Sequence, residues 1–520
     1  MESLASFLAL IFFIYLMYLV MKHVFGTIFG NVFLASKEAT NTASTPFKYA
    51  RRFITNKFAD DGFMGKFEAE KFLNSSHKGL LIDGDLKRLD EKSSFNHIAL
   101  FARSGAGKTT SYIIPNIFRL ATSKASMVVT DLSGELFEKT SGFMQSRGYK
   151  IYVLNPEDLN ESIRYNPMYY ALDSVSIDEM AEILIKSANP KESGEDKVWL
   201  DGAKTLISIF AKVLLNTNDY RYINLANIKH LINNFGDMGK KLDFFIYKYA
   251  DKKTFNEWKG FTRGNPKTVL SYVTTANTAL APIGINDNLE KLTATNTFDF
   301  GSLRREKSIV YIKIPAQKQY QYGFLLNMFY SQLFNKMMEG LPTKDDLAIY
   351  CLLDEFGNMN IPNFSTTITT IRKYKVSVSV VLQNESQMLS KYGEYEANTI
   401  LNGGISGRIF FSGADQSTLE KLERLLGTKT YEEEIDGKVY RKDIPVMNIR
   451  ELRTMSDNEI LFIYANKRAL KLKTTAYYEH GSFKNYAKMP KANIRNSGIY
   501  DVVSYVDYDI ELDLNGDDDA

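Results

Sequence analysis

The chain has 520 residues, 44% of them hydrophobic and 24% charged. That length gives a prior of about three folding units, and the balance excludes wholesale disorder, collagen-like repetition and a many-span transporter. A single cysteine, Cys351, excludes a disulfide framework and a cysteine-based zinc site, and the five histidines form no spaced pair of the kind a helical metal site uses. The net charge of +3 conceals an acidic end, since residues 501–520 hold eight acids and no Lys or Arg; the positive excess elsewhere permits a polyanionic partner without identifying one.

At the N-terminus, Ser3 to Met21 is an uncharged run rich in Leu, Ile, Phe and Tyr. As a helix it would be about 28 Å long, close to the roughly 30 Å hydrocarbon core of a bilayer. Glu2 is the only charge ahead of it, so it lacks the basic region of a signal peptide and reads as an uncleaved anchor. Lys22, Lys37, Lys48, Arg51, Arg52 and Lys57 follow against Glu38, which places the bulk of the chain in the cytoplasm as a single-pass protein of the cell membrane. Val24 to Ala35 is too short to span and reads as interfacial, with a kinked second pass as the alternative. Residues 1–36 are thus expected to be the anchor and 37–80 a linker.

From about Phe95 short apolar runs predict strands at His97–Phe101, Met127–Thr130, Ile151–Leu154, Ser308–Ile314, Leu347–Leu353, Val376–Leu382, Arg408–Phe411 and Ile460–Tyr464. Helical patterns between them argue for an α/β fold with a mostly parallel, helix-covered sheet. Between Leu154 and Ser308 no strand is predicted. Trp199, Ala203, Leu206, Ile207, Phe210 and Leu214 share one helical face, with further helices at Asp178–Lys186, Leu225–Asn234, Met238–Tyr249 and Pro266–Leu280. The expected division is an α/β domain over 81–170 and 300–480, an inserted all-α domain over 171–299, and a C-terminal extension over 481–520 ending in the acidic tail. That tail, from Asp507, is expected to stay unburied and to meet a basic partner.

The first strand runs into Ala102-Arg103-Ser104-Gly105-Ala106-Gly107-Lys108-Thr109-Thr110. A phosphate-binding loop needs glycines where backbone N–H groups close around phosphate, a lysine for the β/γ oxygens and a hydroxyl for Mg²⁺. Residues Ser104 to Thr110 therefore form the expected ATP cradle, with Lys108 on phosphate and Thr109 on the metal; Ala102 departs from the usual first glycine. The strand Leu347–Leu353 delivers Asp354 and Glu355. Asp354 suits the Mg²⁺ shell and Glu355 the polarisation of attacking water. The strand Val376–Leu382 ends in Gln383, an amide placed to sense a γ-phosphate. Arg372, in the basic stretch Ile371–Lys375, reads as an arginine finger toward a neighbouring subunit, a contact to nucleic-acid phosphates, or a solvated turn. The abundant tyrosines and phenylalanines follow strands and helices and read as core rather than as base-stacking platforms.

In order along residues 80–475 these motifs resemble the coupling ATPases of type IV secretion and plasmid conjugation, the TraG-type coupling proteins. The likeness rests on Ile114-Pro115-Asn116 after the loop, Asp131-Leu132-Ser133-Gly134-Glu135-Leu136, Asn155-Pro156, Tyr165-Asn166-Pro167, Leu353-Asp354-Glu355-Phe356, Ile361-Pro362, Leu382-Gln383 with Ser386-Gln387, Tyr392-Gly393, and Leu426-Gly427-Thr428-Lys429-Thr430. The resemblance implies a membrane-anchored homo-hexameric motor with a RecA-like nucleotide-binding domain. Such a motor uses ATP and Mg²⁺ and delivers a relaxase with single-stranded DNA to type IV secretion channel components. It assigns Lys108 and Thr109 to phosphate and magnesium, Asp354 and Glu355 to the acidic pair, Gln383 to the sensor and Arg372 to the trans finger. Ser133 stands where the family often has lysine, so Asp131 and Ser133 carry no expected catalytic role. The family's usual pair of N-terminal spans is reduced to one. Alternatives are a septal-type chromosomal DNA translocase and a docking receptor that does not pump.

Overall fold

The structure is a computed structural model that describes residues 61–189, 197–435, 438–495 and 502–509. The expected anchor at Ser3–Met21, the stretch Val24–Ala35 and most of the acidic tail lie outside the described residues. Among the described residues no helix is long and apolar enough to cross a membrane. The described residues fall into two compact units, one holding Thr428–Ile444 and the other Gly62–Gly427 with the segments from Pro445 onward.

The larger unit is built on strands β1 (Ile98–Phe101), β2 (Ala125–Thr130), β3 (Lys150–Leu154), β4 (Ser308–Ile312), β5 (Ala348–Leu353), β6 (Val376–Leu382), β7 (Gly407–Phe411), β10 (Glu459–Tyr464) and β11 (Leu470–Lys473). β8 (Thr428–Ile435) and β9 (Lys438–Pro445) form a separate two-stranded ribbon. The nine strands run in the order β11-β10-β7-β1-β6-β5-β2-β4-β3. Those from β7 to β3 pair in parallel, whereas β10 is antiparallel to both β7 and β11. Every residue of β1, β2, β4, β5 and β6 is buried, which is why these strands are mostly apolar and carry no charged residue on either face. All eight expected strands are present. β8, β9 and β11 were not expected.

One face of the sheet carries the helices Ile114–Leu120, Glu135–Ser146 and Gly481–Tyr486. They interlock through aromatic rings, with Phe143 stacked on Tyr486 at 4.1 Å and Phe118 edge-on to Phe143 at 5.2 Å, geometries that aromatic pairs favour. The long helix Gln319–Met338 is buried on most of its circumference. Its Tyr330 hydroxyl reaches Thr130 Oγ1 of β2 at 2.8 Å, so the polar atom of a buried ring finds a partner.

Residues between β3 and β4 are helical, as expected. Side-chain caps set several of the boundaries: Asp173 caps Ser174–Ala188, Asn224 caps Leu225–Asn233, Asp251 caps Lys252–Thr262 and Asn265 caps Pro266–Ala279, each satisfying an orphan N–H of a first turn. Two expectations are corrected here. Met238–Tyr249 is not one helix, because Met238 (φ 55) and Gly239 (φ 81) break a 3₁₀ turn from the helix Asp243–Tyr249. In the helix Lys197–Asn216, Ala203, Leu206, Ile207, Phe210 and Leu214 are buried as expected, but Trp199 in its first turn remains 39% exposed. The buried indole is Trp258, whose Nε1 donates to Asp243 Oδ1 at 2.7 Å.

Residues 502–509 lie against this helical segment, so the start of the acidic tail is packed instead of free. Asn227, fully buried, donates through Nδ2 to Ser504 O (2.9 Å) and accepts Val506 N–H at Oδ1 (2.7 Å). Tyr508 donates to Asn234 Oδ1 at 2.8 Å, and His230 lies between the rings of Tyr505 and Tyr508.

Candidate nucleotide site

The loop after β1 curls because Gly105 (φ 79) and Gly107 (φ 88) occupy the left-handed region that costs glycine nothing. No atom lies within 4 Å of the position a Cβ would take at Gly105. Ala102 takes no such conformation. Its N–H donates to Leu382 O of β6 (2.9 Å) and its side chain is buried, so an alanine is accommodated where the usual pattern has glycine. The hydroxyls of Thr110 and Ser111 both donate to Gly107 O, at 3.1 and 2.8 Å, and stiffen the loop from behind.

The loop leads into a π turn, Thr109–Ile113, before the helix Ile114–Leu120. In that turn Ile114 N–H bonds to Thr109 O. At the same spacing Thr110 O would face the nitrogen of Pro115, which has no hydrogen. Tyr477 supplies the missing donor, its N–H reaching Thr110 O at 2.8 Å. The next residue, Asn116, is fully buried and pairs both ways with the backbone of Leu81, each bond 2.8 Å.

β6 lies between β1 and β5, so in a parallel sheet the loop after β1, Gln383 after β6 and the acids after β5 share the carboxyl edge, where α/β sheets place ligands. Lys108 Nζ donates to Asp354 Oδ1 at 2.9 Å and lies 4.0 Å from Glu355 Oε1. The lysine and aspartate side chains are 13% and 16% exposed, and Glu355 is 36% exposed. A charge-assisted bond in so sheltered a place is stronger than its surface counterpart. Glu355 has φ 54 and ψ 41, a strained conformation for a residue with a Cβ, of the sort that collects at functional sites. Gln383 is exposed, and its N–H donates to Gln387 Oε1 at 2.9 Å.

Magnesium takes hard oxygen ligands, and the Thr109 hydroxyl and Asp354 carboxylate are such donors. Both hydrogen bonds on Asp354, from Lys108 Nζ and Glu355 N, fall on Oδ1, which leaves Oδ2 available to a metal shell. The donor set fits the ion.

Arg372 does not join this group. It precedes β6, on a 3₁₀ turn Ile371–Tyr374 at the opposite edge of the sheet, and is exposed. Seven residues of β6 separate the two ends, about 20 Å at the rise of a strand, so Arg372 lies out of reach of the loop in its own chain. Near it, His97 is fully buried. Burial first and the Arg372 charge in addition hold its ring near a pKa of about 3, and its Nδ1 accepts Val378 N–H at 3.1 Å.

Most of the remaining sequence motifs are braces. Asp131, buried, accepts the N–H groups of Leu136 (3.2 Å) and Phe137 (2.8 Å) at the start of the helix Glu135–Ser146. Asn166 donates to Ile223 O at 2.7 Å, tying the end of the β3 region to the helical segment. Behind the acidic pair, Phe356 stacks on Tyr392 (5.9 Å, 9° between planes), whose hydroxyl accepts Ile361 N–H at 3.0 Å. Gln387, which the sequence offers only within the Ser386-Gln387 motif, accepts Gln383 N–H and lies against Gly357, whose absent Cβ leaves room for it.

The sequence pattern of the family described as Type IV secretory system Conjugative DNA transfer matches residues 65–498. The chain belongs to that family. Among curated relatives of this coupling-protein family, protein VirD4 of Rhizobium rhizogenes is 25% identical over 410 residues, covering 74% of this chain and 58% of the relative. The type IV secretion system-coupling protein VirD4 of Bartonella quintana (strain Toulouse) is 22% identical over 419 residues, covering 72% and 64%. The chain thus spans less than two thirds of the length of these relatives. Among solved structures, the bacterial conjugative coupling protein TrwBdeltaN70 superposes with a TM-score of 0.63 at 16% identity, covering 79% of this chain and 92% of that one. The plasmid coupling protein TrwB in complex with ADP and Mg²⁺ gives 0.62 at 16% identity, covering 80% and 93%. At that identity the likeness is one of fold: a mixed α/β, RecA-like architecture with a mostly parallel sheet.

Proposed function

We propose that this coupling-family chain is an ATP-driven motor that delivers a relaxase with single-stranded DNA to a type IV secretion channel. The observation that carries the reading is the meeting of the phosphate loop, Asp354, Glu355 and Gln383 at one sheet edge, with Lys108 bonded to Asp354. Solved forms of TrwB with nucleotide support the cofactor. In this reading the N–H groups of Ser104 to Thr110 and Lys108 hold the phosphates, Glu355 orients the attacking water and Gln383 meets the γ-phosphate. Thr109 and Asp354 would hold Mg²⁺, which when bound neutralises charge on the phosphate oxygens. Arg372, remote from its own loop, serves a neighbouring subunit of a homo-hexamer. In this reading residues 81–170 and 300–480 form the motor, 171–299 an inserted all-α domain, 481–520 the C-terminal extension, and 1–36 the membrane anchor, joined by a linker over 37–80.

The test is ATP binding and hydrolysis by the full chain with and without single-stranded DNA. Lys108→Ala should lose nucleotide binding, while Glu355→Gln should bind ATP and turn over at least about tenfold more slowly, a loss of about 1.4 kcal/mol in the transition state. Near-native hydrolysis by Glu355→Gln would remove the acid from the mechanism.

A further inference from the structure

Pro115 leaves the first turn behind the phosphate loop with a carbonyl, Thr110 O, that only an outside donor can satisfy, and the segment Thr475–Tyr478 provides it. That segment is clamped twice. Tyr477 N–H bonds to Thr110 O and Thr475 N–H to Asp83 O, each at 2.8 Å. Gly84 (φ 79) permits the approach, since a Cβ there would stand 2.2 Å from Thr475 O and 2.7 Å from Ser111 O. Two consecutive aromatic residues end the clamp. Tyr477 packs partly buried against the core, while burial and the Glu135 carboxylate raise its hydroxyl's pKa. Tyr478 stands edge-on to it at 5.4 Å and is 52% exposed.

A triphosphate seated with its γ end at Lys108, Asp354 and Glu355 would carry its nucleoside end in the other direction, over the turn Thr109–Ile113. The exposed Tyr478 ring follows directly on Tyr477, whose backbone N–H is bonded to that turn, and there a base would gain by stacking. We propose that Tyr477 and Tyr478 form the nucleobase platform of the site, Tyr478 presenting its ring to a purine and Tyr477 holding that ring in place. The inference rests on the phosphate loop being a nucleotide site. Because stacking uses the π face and reads no hydrogen-bonding edge, the platform takes ATP and GTP alike.

The test compares Mg·ATP, Mg·GTP and inorganic tripolyphosphate, which has phosphates and no base, binding to the full chain. Tyr478→Ala should weaken ATP and GTP each about tenfold, the loss of one stacked base, and leave tripolyphosphate unchanged. Tyr478→Phe keeps the ring and should bind all three as the native chain does. Unchanged ATP affinity in both Tyr477→Ala and Tyr478→Ala, or equal weakening of ATP and tripolyphosphate, would overturn the platform. Lys108→Ala distinguishes this from a failure of the nucleotide reading: it should weaken tripolyphosphate as well as ATP, and if it weakens neither, the loop itself is not the site.

Discussion

Replacing Glu355 by alanine and by glycine tests whether the site holds its acid under backbone strain. The residue sits at φ 54, ψ 41, where a Cβ costs roughly 1–2 kcal/mol. At an ordinary position glycine is less stable than alanine by roughly 0.5–1 kcal/mol because the unfolded chain gains freedom. Here the two terms oppose, and the larger wins: Glu355→Gly should be more stable than Glu355→Ala by up to about 1.5 kcal/mol. Both lack the carboxylate, so under the proposed mechanism both should lose hydrolysis despite the difference in stability. Urea unfolding followed by far-ultraviolet circular dichroism is the suitable assay, because both tryptophans, Trp199 and Trp258, lie in the helical segment and would report on that region instead. A glycine variant less stable than the alanine variant would refute the strain at this position.

Arg372→Ala should bind ATP normally and lose basal turnover without DNA at concentrations where chains assemble, since a finger acts in the transition state; full basal activity would remove it from the chemistry. Asn227→Ala strands Ser504 O and Val506 N, at about 1–3 kcal/mol, and should speed protease cleavage within residues 502–509; unchanged cleavage would show that the amide does not hold this strap. Burial pushes Asp131 from 3.8 up to about 6 in the folded chain, against the N–H groups it accepts. A raised pKa contributes stability that is full below about pH 4 and lost as pH rises through about 6. The native chain's stability relative to Asp131→Asn should therefore fall between pH 4 and pH 7, and a flat difference would contradict the shift.

The sheet was readable in the sequence because its central strands are buried on both faces and so are written as runs without charge, Leu347–Leu353 being the clearest. β8 and β9 were not, since Thr428–Ile435 and Lys438–Pro445 are dense in charged residues and show no continuous apolar face; the Asp436-Gly437 pair between them was the available hairpin signal. β11 alternates leucine and lysine, but over only the four residues Leu470–Lys473 the pattern is too short to stand out. At the site, Lys108, Asp354 and Gln383 could be placed from strand ends alone. The roles of Asn116, Asn166 and Tyr392 could not, because each acts through a backbone group far away in sequence. The Tyr477–Thr110 bond had one trace in the chain, the proline two residues beyond the π turn.

β6 carries Arg372 just before one end and Gln383 just after the other, and its seven fully buried residues make it the stiffest connection between them. β6 is bonded on both sides, to β1 and to β5, so it is fixed within the sheet. Under the proposed mechanism, an assembly that seats Arg372 beside a neighbour's nucleotide would have the spacing between one site's Gln383 and the next site's Arg372, about 20 Å, set by the sheet rather than by a flexible linker.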